Sequence, residues 1–290
     1  MNKKKILLTG STGFIGRNLY RVLKQHYDIT APKRLELDVV KEFDVDSYFM
    51  NNSFDVVIHT ANISPFKSPQ YDSIDNILDY TIRAMLNIEK HSNEVEKILY
   101  MGSGAEYNKQ YDIKMVKEND IGMTIPTDNY GYAKYILNKI ARGSKNIYNL
   151  RLFGCYGPTD VKTKFIRDAI DCCLENRAIT IRQNCQFDYL YVDDMSNVVR
   201  WFIENIPKYH DYNVCSGIPI DLLTIAKIVA MKMHNDNGIT IAKEGYNKEY
   251  TADNSRLLSE LNDFKFTSIE DGISKQIDWQ RSTCDEKKSC

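Results

Sequence analysis

The stretch KILLTGSTGFIG, Lys5 to Gly16, restricts the fold more than any other part of the chain. A short β-rich run passes directly into Gly10, Gly13 and Gly16, spaced three apart, and the residues after them carry apolar side chains at helical spacing. Strand, glycine turn and helix in this order open a doubly wound sheet of the dinucleotide-binding kind. Glycine lets the backbone approach a pyrophosphate, and the amides at the helix N-terminus offer it partial positive charge. Gly10, Thr12, Gly13, Phe14, Ile15 and Gly16 are the cofactor contacts this implies. A glycine-rich turn without a ligand is the plainer alternative.

Short β-rich runs and longer helical ones alternate through the first half: KILLT, Phe14 to His26, DIT, Phe43 to Met50, DVVIHT, Ser73 to His91, KILYMGS, Thr127 to Arg142 and IYNLRLF. Alternation of this kind predicts an α/β protein with a parallel, doubly wound sheet. DVVIHT and KILYMGS are almost continuously apolar, as strands covered by helices on both faces should be. Beyond Gly157 and Pro158 the order loosens to a helix from Lys164 to Glu175, a strand AITIRQ, and a strand-to-helix unit FDYLYVDDMSNVVRWFIEN. The expected division is a cofactor domain of residues 1–153 with 187–206, a smaller discontinuous substrate region of 154–186 with 207–280, and a loose tail at 281–290.

Several function classes are excluded. The 38 basic and 39 acidic side chains nearly cancel, and no basic run follows the first five residues, so neither nucleic acid nor a membrane surface is indicated as a partner. No stretch approaches the roughly 18 to 20 unbroken apolar residues that span a bilayer. The opening MNKKKILL is charged like a signal peptide, but its apolar run ends after three residues at Thr9, and export is not expected. Seven cysteines without C-x-x-C spacing read as reduced thiols of a cytoplasmic protein, and the five histidines are too scattered to suggest a metal. The ligands expected are small and organic.

The end of the second strand selects between NAD and NADP, because an acid there would bind the ribose hydroxyls and a base would accommodate a 2′-phosphate. Here the segment is DITAPKRLELDV. Lys33 and Arg34 favour NADP, with NAD still possible if they form a solvated loop. Asp38 and Val39, after an expected short strand LEL, are candidate adenosine contacts.

TGSTGFIG, DVVIHTAN, MGSGAEY, Tyr130 to Lys134 in YGYAK, RLFGCYGP, DYLYVDDM and YNVCSG occur in an order and at intervals that resemble the extended short-chain dehydrogenase/reductases, the NAD(P)-dependent epimerase/dehydratase group acting on nucleotide sugars. The resemblance covers nearly the whole chain. It implies a Rossmann fold, a nucleotide-diphosphate sugar substrate, and a homodimer formed through the helices at 74–91 and 127–142. Thr60, Ala61, Asn62 and Phe153 join the implied cofactor contacts. On a helix, positions i and i+4 share a face, so the Lys134 ammonium can favour the Tyr130 phenolate and lower a pKa that ordinarily lies near 10. By resemblance Tyr130 is the acid/base, Lys134 also holds the nicotinamide ribose, and Ser103 hydrogen-bonds the reacting oxygen.

The departures bear on the substrate. Gly104 and Ala105 stand where sugar 4,6-dehydratases carry an Asp-Glu pair, and Ala105 also replaces a cysteine that GDP-fucose synthase uses in epimerisation. Gly154 replaces the usual asparagine of RLFNVYGP, and Phe187 the arginine that grips the diphosphate. Arg182 is the substitute cation, or else an exposed strand residue. The expected activity is reduction of a 4-keto nucleotide sugar, with a 4-epimerase that retains its NAD, or a cofactor-binding scaffold without turnover, as alternatives.

Overall fold

A computed structural model describes residues 3–62 and 76–288. Its strands are β1 (Lys5–Thr9), β2 (Asp28–Thr30), β3 (Val56–His59), β4 (Lys97–Ser103), β5 (Ile113–Val116), β6 (Ile147–Leu152), β7 (Cys155–Tyr156), β8 (Ile179–Asn184), β9 (Gln186–Asp188), β10 (Leu190–Tyr191), β11 (Asp211–Val214), β12 (Pro219–Asp221), β13 (Ile239–Tyr246) and β14 (Tyr250–Ala252). Its helices are α1 (Phe14–Leu23), α2 (Glu42–Asn51), α3 (Ile77–Glu89), α4 (Asn129–Gly143), α5 (Phe165–Leu174), α6 (Val192–Glu204), α7 (Leu222–Met233), α8 (Ser255–Leu258) and α9 (Ile269–Lys288).

Six parallel strands form the central sheet in the order β11-β6-β4-β3-β1-β2. Successive side chains of a strand leave opposite faces. Ile6 and Leu8 of β1 therefore meet Leu19 and Leu23 of α1 and Met195 and Val199 of α6, while Leu7 meets Val45 and Phe49 of α2 and Met85 and Ile88 of α3. Two apolar layers sandwich the sheet, which accounts for the unbroken burial of β3 and nearly all of β4. Strand order reverses beside β1, and the crevice outside the carboxyl ends at that point is where such sheets bind ligands.

The smaller region packs α5, α7 and α9 against β8 around Ile166, Ile170, Ile181, Val229 and Ile273. A separate four-stranded sheet, β12-β9-β14-β5, closes over the carboxyl ends of β4 and β6 through Tyr107, Phe153 and Ala252.

Several boundaries differ from expectation. LEL is a turn, since Glu36 and Leu37 both send their amides back to the Lys33 carbonyl. Residues 211–214, expected in the substrate region, form β11 at the edge of the main sheet, whereas β9 and β10 lie outside that sheet and Leu190 and α6 pack on it. Residues 281–288, expected as a loose tail, continue α9. The expected helix start at Ser73 falls outside the described residues, and α3 begins at Ile77.

Candidate active site

β1 ends at Thr9 and the chain turns at Gly10, whose φ of +74° lies in the left-handed region. A Cβ at Gly10 would stand 2.5 Å from the Ala61 amide nitrogen, and one at Gly16 would stand 2.3 Å from the Gly10 carbonyl oxygen. The turn is therefore held tight against both β3 and α1. Gly13 is the N-cap of α1 and offers no side chain to the first amides, which face the turn unhindered. A cleft of about 400 Å³ opens here, lined by Gly10, Thr12, Gly13, Phe14, Ile15, Gly16, Lys33, Arg34, Asp38, Val39, Thr60, Ala61 and Asn62. Thr81 of α3 also lines it, and its hydroxyl is buried without a hydrogen-bond partner among the described residues. Asp38 accepts from the Val40 amide at 3.2 Å and lies 3.6 Å from Arg34 Nε. Glu36, an acid in the same turn, accepts the Lys33 amide at 2.6 Å and stays out of the cleft wall.

A second cleft, of about 660 Å³, shares Phe14, Ile15, Thr60 and Asn62 with the first. Ser103 at the end of β4 lines it together with Tyr130 and Lys134 of α4. Asp128 starts α4 by accepting the Gly131 amide at 2.9 Å, which sets Tyr130 in the first turn. The Lys134 ammonium donates to the Met101 carbonyl at 3.2 Å and lies 4.5 Å from the Tyr100 ring centre and 5.7 Å from that of Tyr130. Burial pulls its pKa down to about 8, against the opposing pull of Glu106. For Tyr130, burial raises the pKa, interaction with the Ser103 side chain lowers it, and Glu106 and Asp128 raise it further. The net direction is upward, with burial its largest cause, against the lowering by Lys134 that the helix spacing predicts.

Beneath these residues lies a buried polar network. Glu106 accepts the Ser103 amide at 3.1 Å and receives Arg151 Nε at 2.7 Å and Asn149 Nδ2 at 2.9 Å. Arg151, fully buried on β6, also reaches Asp211 of β11 at 3.0 Å, and Arg142 and Arg256 meet the same carboxylate at 2.8 and 3.0 Å. Glu106 and Arg151 appear in the sequence only as letters of MGSGAEY and RLFGCYGP. Their pairing across 45 positions has no local signal.

The profile of the NAD dependent epimerase/dehydratase family matches residues 6–215, from β1 to just past β11. The chain belongs to this family. A GDP-L-colitose synthase of Yersinia pseudotuberculosis is 24% identical over 300 residues, spanning 93% of this chain and 96% of that protein. Among solved structures, the fold is similar to that of a GDP-mannoheptose C4 reductase from Campylobacter jejuni with NADP bound, with a TM-score of 0.81 at 18% identity over 97% of this chain and 99% of that one. It is similar too to a UDP-glucose 4-epimerase from Thermotoga maritima, with a TM-score of 0.80 at 20% identity over 97% and 99% of the two chains. At such identities the likeness establishes a fold that reductases and epimerases share.

As a member of the epimerase/dehydratase family the protein is an NAD(P)-dependent enzyme. Its glycine cradle, which a single Cβ would fill, and the unpartnered Thr81 hydroxyl fit a dinucleotide. Thr81 escaped sequence reading because a threonine inside a helix carries no motif. Phe153, Gly154 and Phe187 do line the second cleft. Gly154 departs from the family asparagine for a local reason, since a Cβ there would sit 2.3 Å from the Asp188 carbonyl oxygen. Three expected substrate contacts fall elsewhere. Gly104 and Ala105 are buried and absent from the cleft wall. Arg182 is exposed on β8, where the strand's alternation sends Ile181 into the core and its neighbour outward. The cations that line the cleft beside Lys134 are Lys109 and Lys248, on connections that periodicity does not mark, and Lys164, at the start of α5.

Proposed function

We propose that this protein reduces the 4-keto group of a nucleotide-diphosphate sugar, using NADPH. The observation that supports the reading is that Ser103, Tyr130 and Lys134 line one cleft whose wall shares Phe14, Ile15, Thr60 and Asn62 with the cleft at the glycine turn. Bound NADPH supplies a hydride to the carbonyl carbon. Tyr130 gives its phenolic proton to the carbonyl oxygen, Ser103 holds that oxygen, and Lys134 holds the nicotinamide ribose. Gly10, Gly13 and the first amides of α1 take the pyrophosphate, and Lys33 and Arg34 the 2′-phosphate. Lys164 and Lys248, which line the larger cleft with Phe187, replace the family arginine as partners of the sugar diphosphate.

The same three residues would also serve a 4-epimerase, which oxidises and re-reduces its substrate without net turnover of cofactor. Lys33 and Arg34 favour the reductase, because a released and recycled cofactor is the usual use of NADPH. By the same resemblance, we assign α3 and α4 to the contact between two copies of the chain. The purified enzyme, incubated with NADPH and a panel of GDP-, CDP- and UDP-linked 4-keto sugars, should lose absorbance at 340 nm with at least one of them. Interconversion of 4-hydroxy sugars with no change in absorbance would replace the reductase by the epimerase.

A further inference from the structure

Tyr250 of β14 stands where two of the sequence departures meet. A Cβ at Gly104 would lie 2.4 Å from the Tyr250 hydroxyl oxygen, so this phenol occupies the space of the side chain that position 104 lacks. The Tyr250 ring packs at 5.6 Å on Phe187, the residue that replaces the family arginine, and at 5.0 Å on Phe153. Backbone pairing of Tyr250 with Phe187 and with Ile113 fixes its place over the end of β4. Tyr250 lines the same cleft as Ser103 and Tyr130, and its hydroxyl stands over Gly104, the residue that follows Ser103.

A serine hydroxyl has two lone pairs and one hydrogen. Ser103 Oγ already accepts the Ala105 amide at 3.2 Å, which leaves one lone pair and the hydrogen. We propose that Tyr250 is a positioning residue: its hydroxyl donates to the remaining lone pair of Ser103 and so aims the Ser103 hydrogen at Tyr130 and the substrate oxygen. Burial raises the Tyr250 pKa, so the phenol stays a donor at neutral pH. The charged and titratable groups around the pair are Glu106 and Arg151 beside Tyr250, and Glu106, Asp128, Lys109, Lys134 and Tyr100 beside Tyr130. None of them is altered by removing one hydroxyl.

This inference rests on the acid/base reading of Tyr130, and the test separates the two. Tyr250→Phe keeps the ring and its packing and removes only the donor. In protein labelled with ¹³C at tyrosine Cζ and saturated with NADP⁺, the Tyr130 resonance, assigned by its loss in Tyr130→Phe, is titrated with pH. Tyr250→Phe should move Tyr130 ionisation to higher pH, Ser103→Ala should move it at least as far, and the double variant no further, because both act through one hydroxyl. With the 4-keto nucleotide sugar that oxidises NADPH, Tyr250→Phe should lower kcat by about 10- to 100-fold with KM and NADPH affinity unchanged, the scale of one hydrogen bond to a charged group. Identical Tyr130 titrations in parent and Tyr250→Phe, flat ones included, or additive shifts in the double variant, overturn the positioning role. A Tyr130→Phe enzyme with parental activity overturns the acid/base reading instead, whatever the titrations show.

Discussion

At Lys134 a single side chain is asked to stay charged inside the protein. It is 3% exposed, and burial brings its pKa down to about 8. The folded state therefore releases this proton before the unfolded chain does, so between about pH 8 and the unperturbed lysine value near 10.4 stability rises with pH. Below pH 8 the full desolvation penalty is present. Lys134→Met should consequently raise Tm, by calorimetry, while weakening NADP(H) binding and lowering kcat, the opposition expected where function retains a buried charge. Tyr130→Phe separates the chemistry from the packing. It should leave Tm and cofactor affinity near the parent values and lower kcat by about 10²- to 10⁴-fold, the range for a positioned acid/base group. Parental turnover by the folded, cofactor-loaded variant would remove Tyr130 from the mechanism.

Two connections govern selectivity at the scale of elements. The turn after β2 brings Lys33 and Arg34 into the wall of the cleft proposed for the cofactor, while Glu36 accepts the Lys33 amide. NADPH should therefore bind more tightly than NADH in calorimetric titration, and Lys33→Ala with Arg34→Ala should erase the difference; a preference untouched by both changes would refute the assignment. Between β13 and β14, Lys248 lines the larger cleft, and its carbonyl receives Cys185 Sγ at 3.1 Å. Lys248→Ala should raise KM for the nucleotide sugar several-fold with little change in kcat, the mark of binding shared by ground and transition states. Arg182→Ala should change neither, because Arg182 lies on the exposed face of β8.

Across the whole molecule, the network centred on Arg151 ties β6, β11, α4, α8 and the turn after β4 into one unit under the reaction centre. Replacing Arg151 by leucine leaves Glu106 and Asp211 buried without their shared counter-charge. The cost should be about 3–5 kcal/mol of unfolding free energy, measured by urea denaturation. Acid sensitivity has a source in His59, buried against Thr9 Oγ1 at 2.8 Å, whose pKa burial and then Lys134 pull down to about 3. The unfolded chain takes up that proton near pH 6.5 and the folded one only near 3, so stability falls as pH drops through this window. His59→Gln should flatten the acid limb of Tm against pH, and an unchanged limb would place the sensitivity elsewhere.

The cofactor half of the site could be read from the residues because its determinants are local. Gly10, Gly13 and Gly16 lie within one strand-turn-helix unit, Tyr130 and Lys134 within one helical turn, and the apolar runs of β3 and β4 record burial on two faces. Backbone geometry and short-range periodicity decide such features, and both are written in consecutive letters. The substrate half is assembled from segments far apart in the chain, by packing that no short window contains. Tyr250 reaches the volume of Gly104 from 146 positions away through the pairing of β14 with β5 and β9, and Arg151 finds Glu106 across the sheet. Arg182 failed for the complementary reason. A strand's alternation fixes that neighbours face opposite ways, but only the tertiary structure chooses which face is the core, and β8 lays Ile181 inward and leaves the guanidinium in solvent.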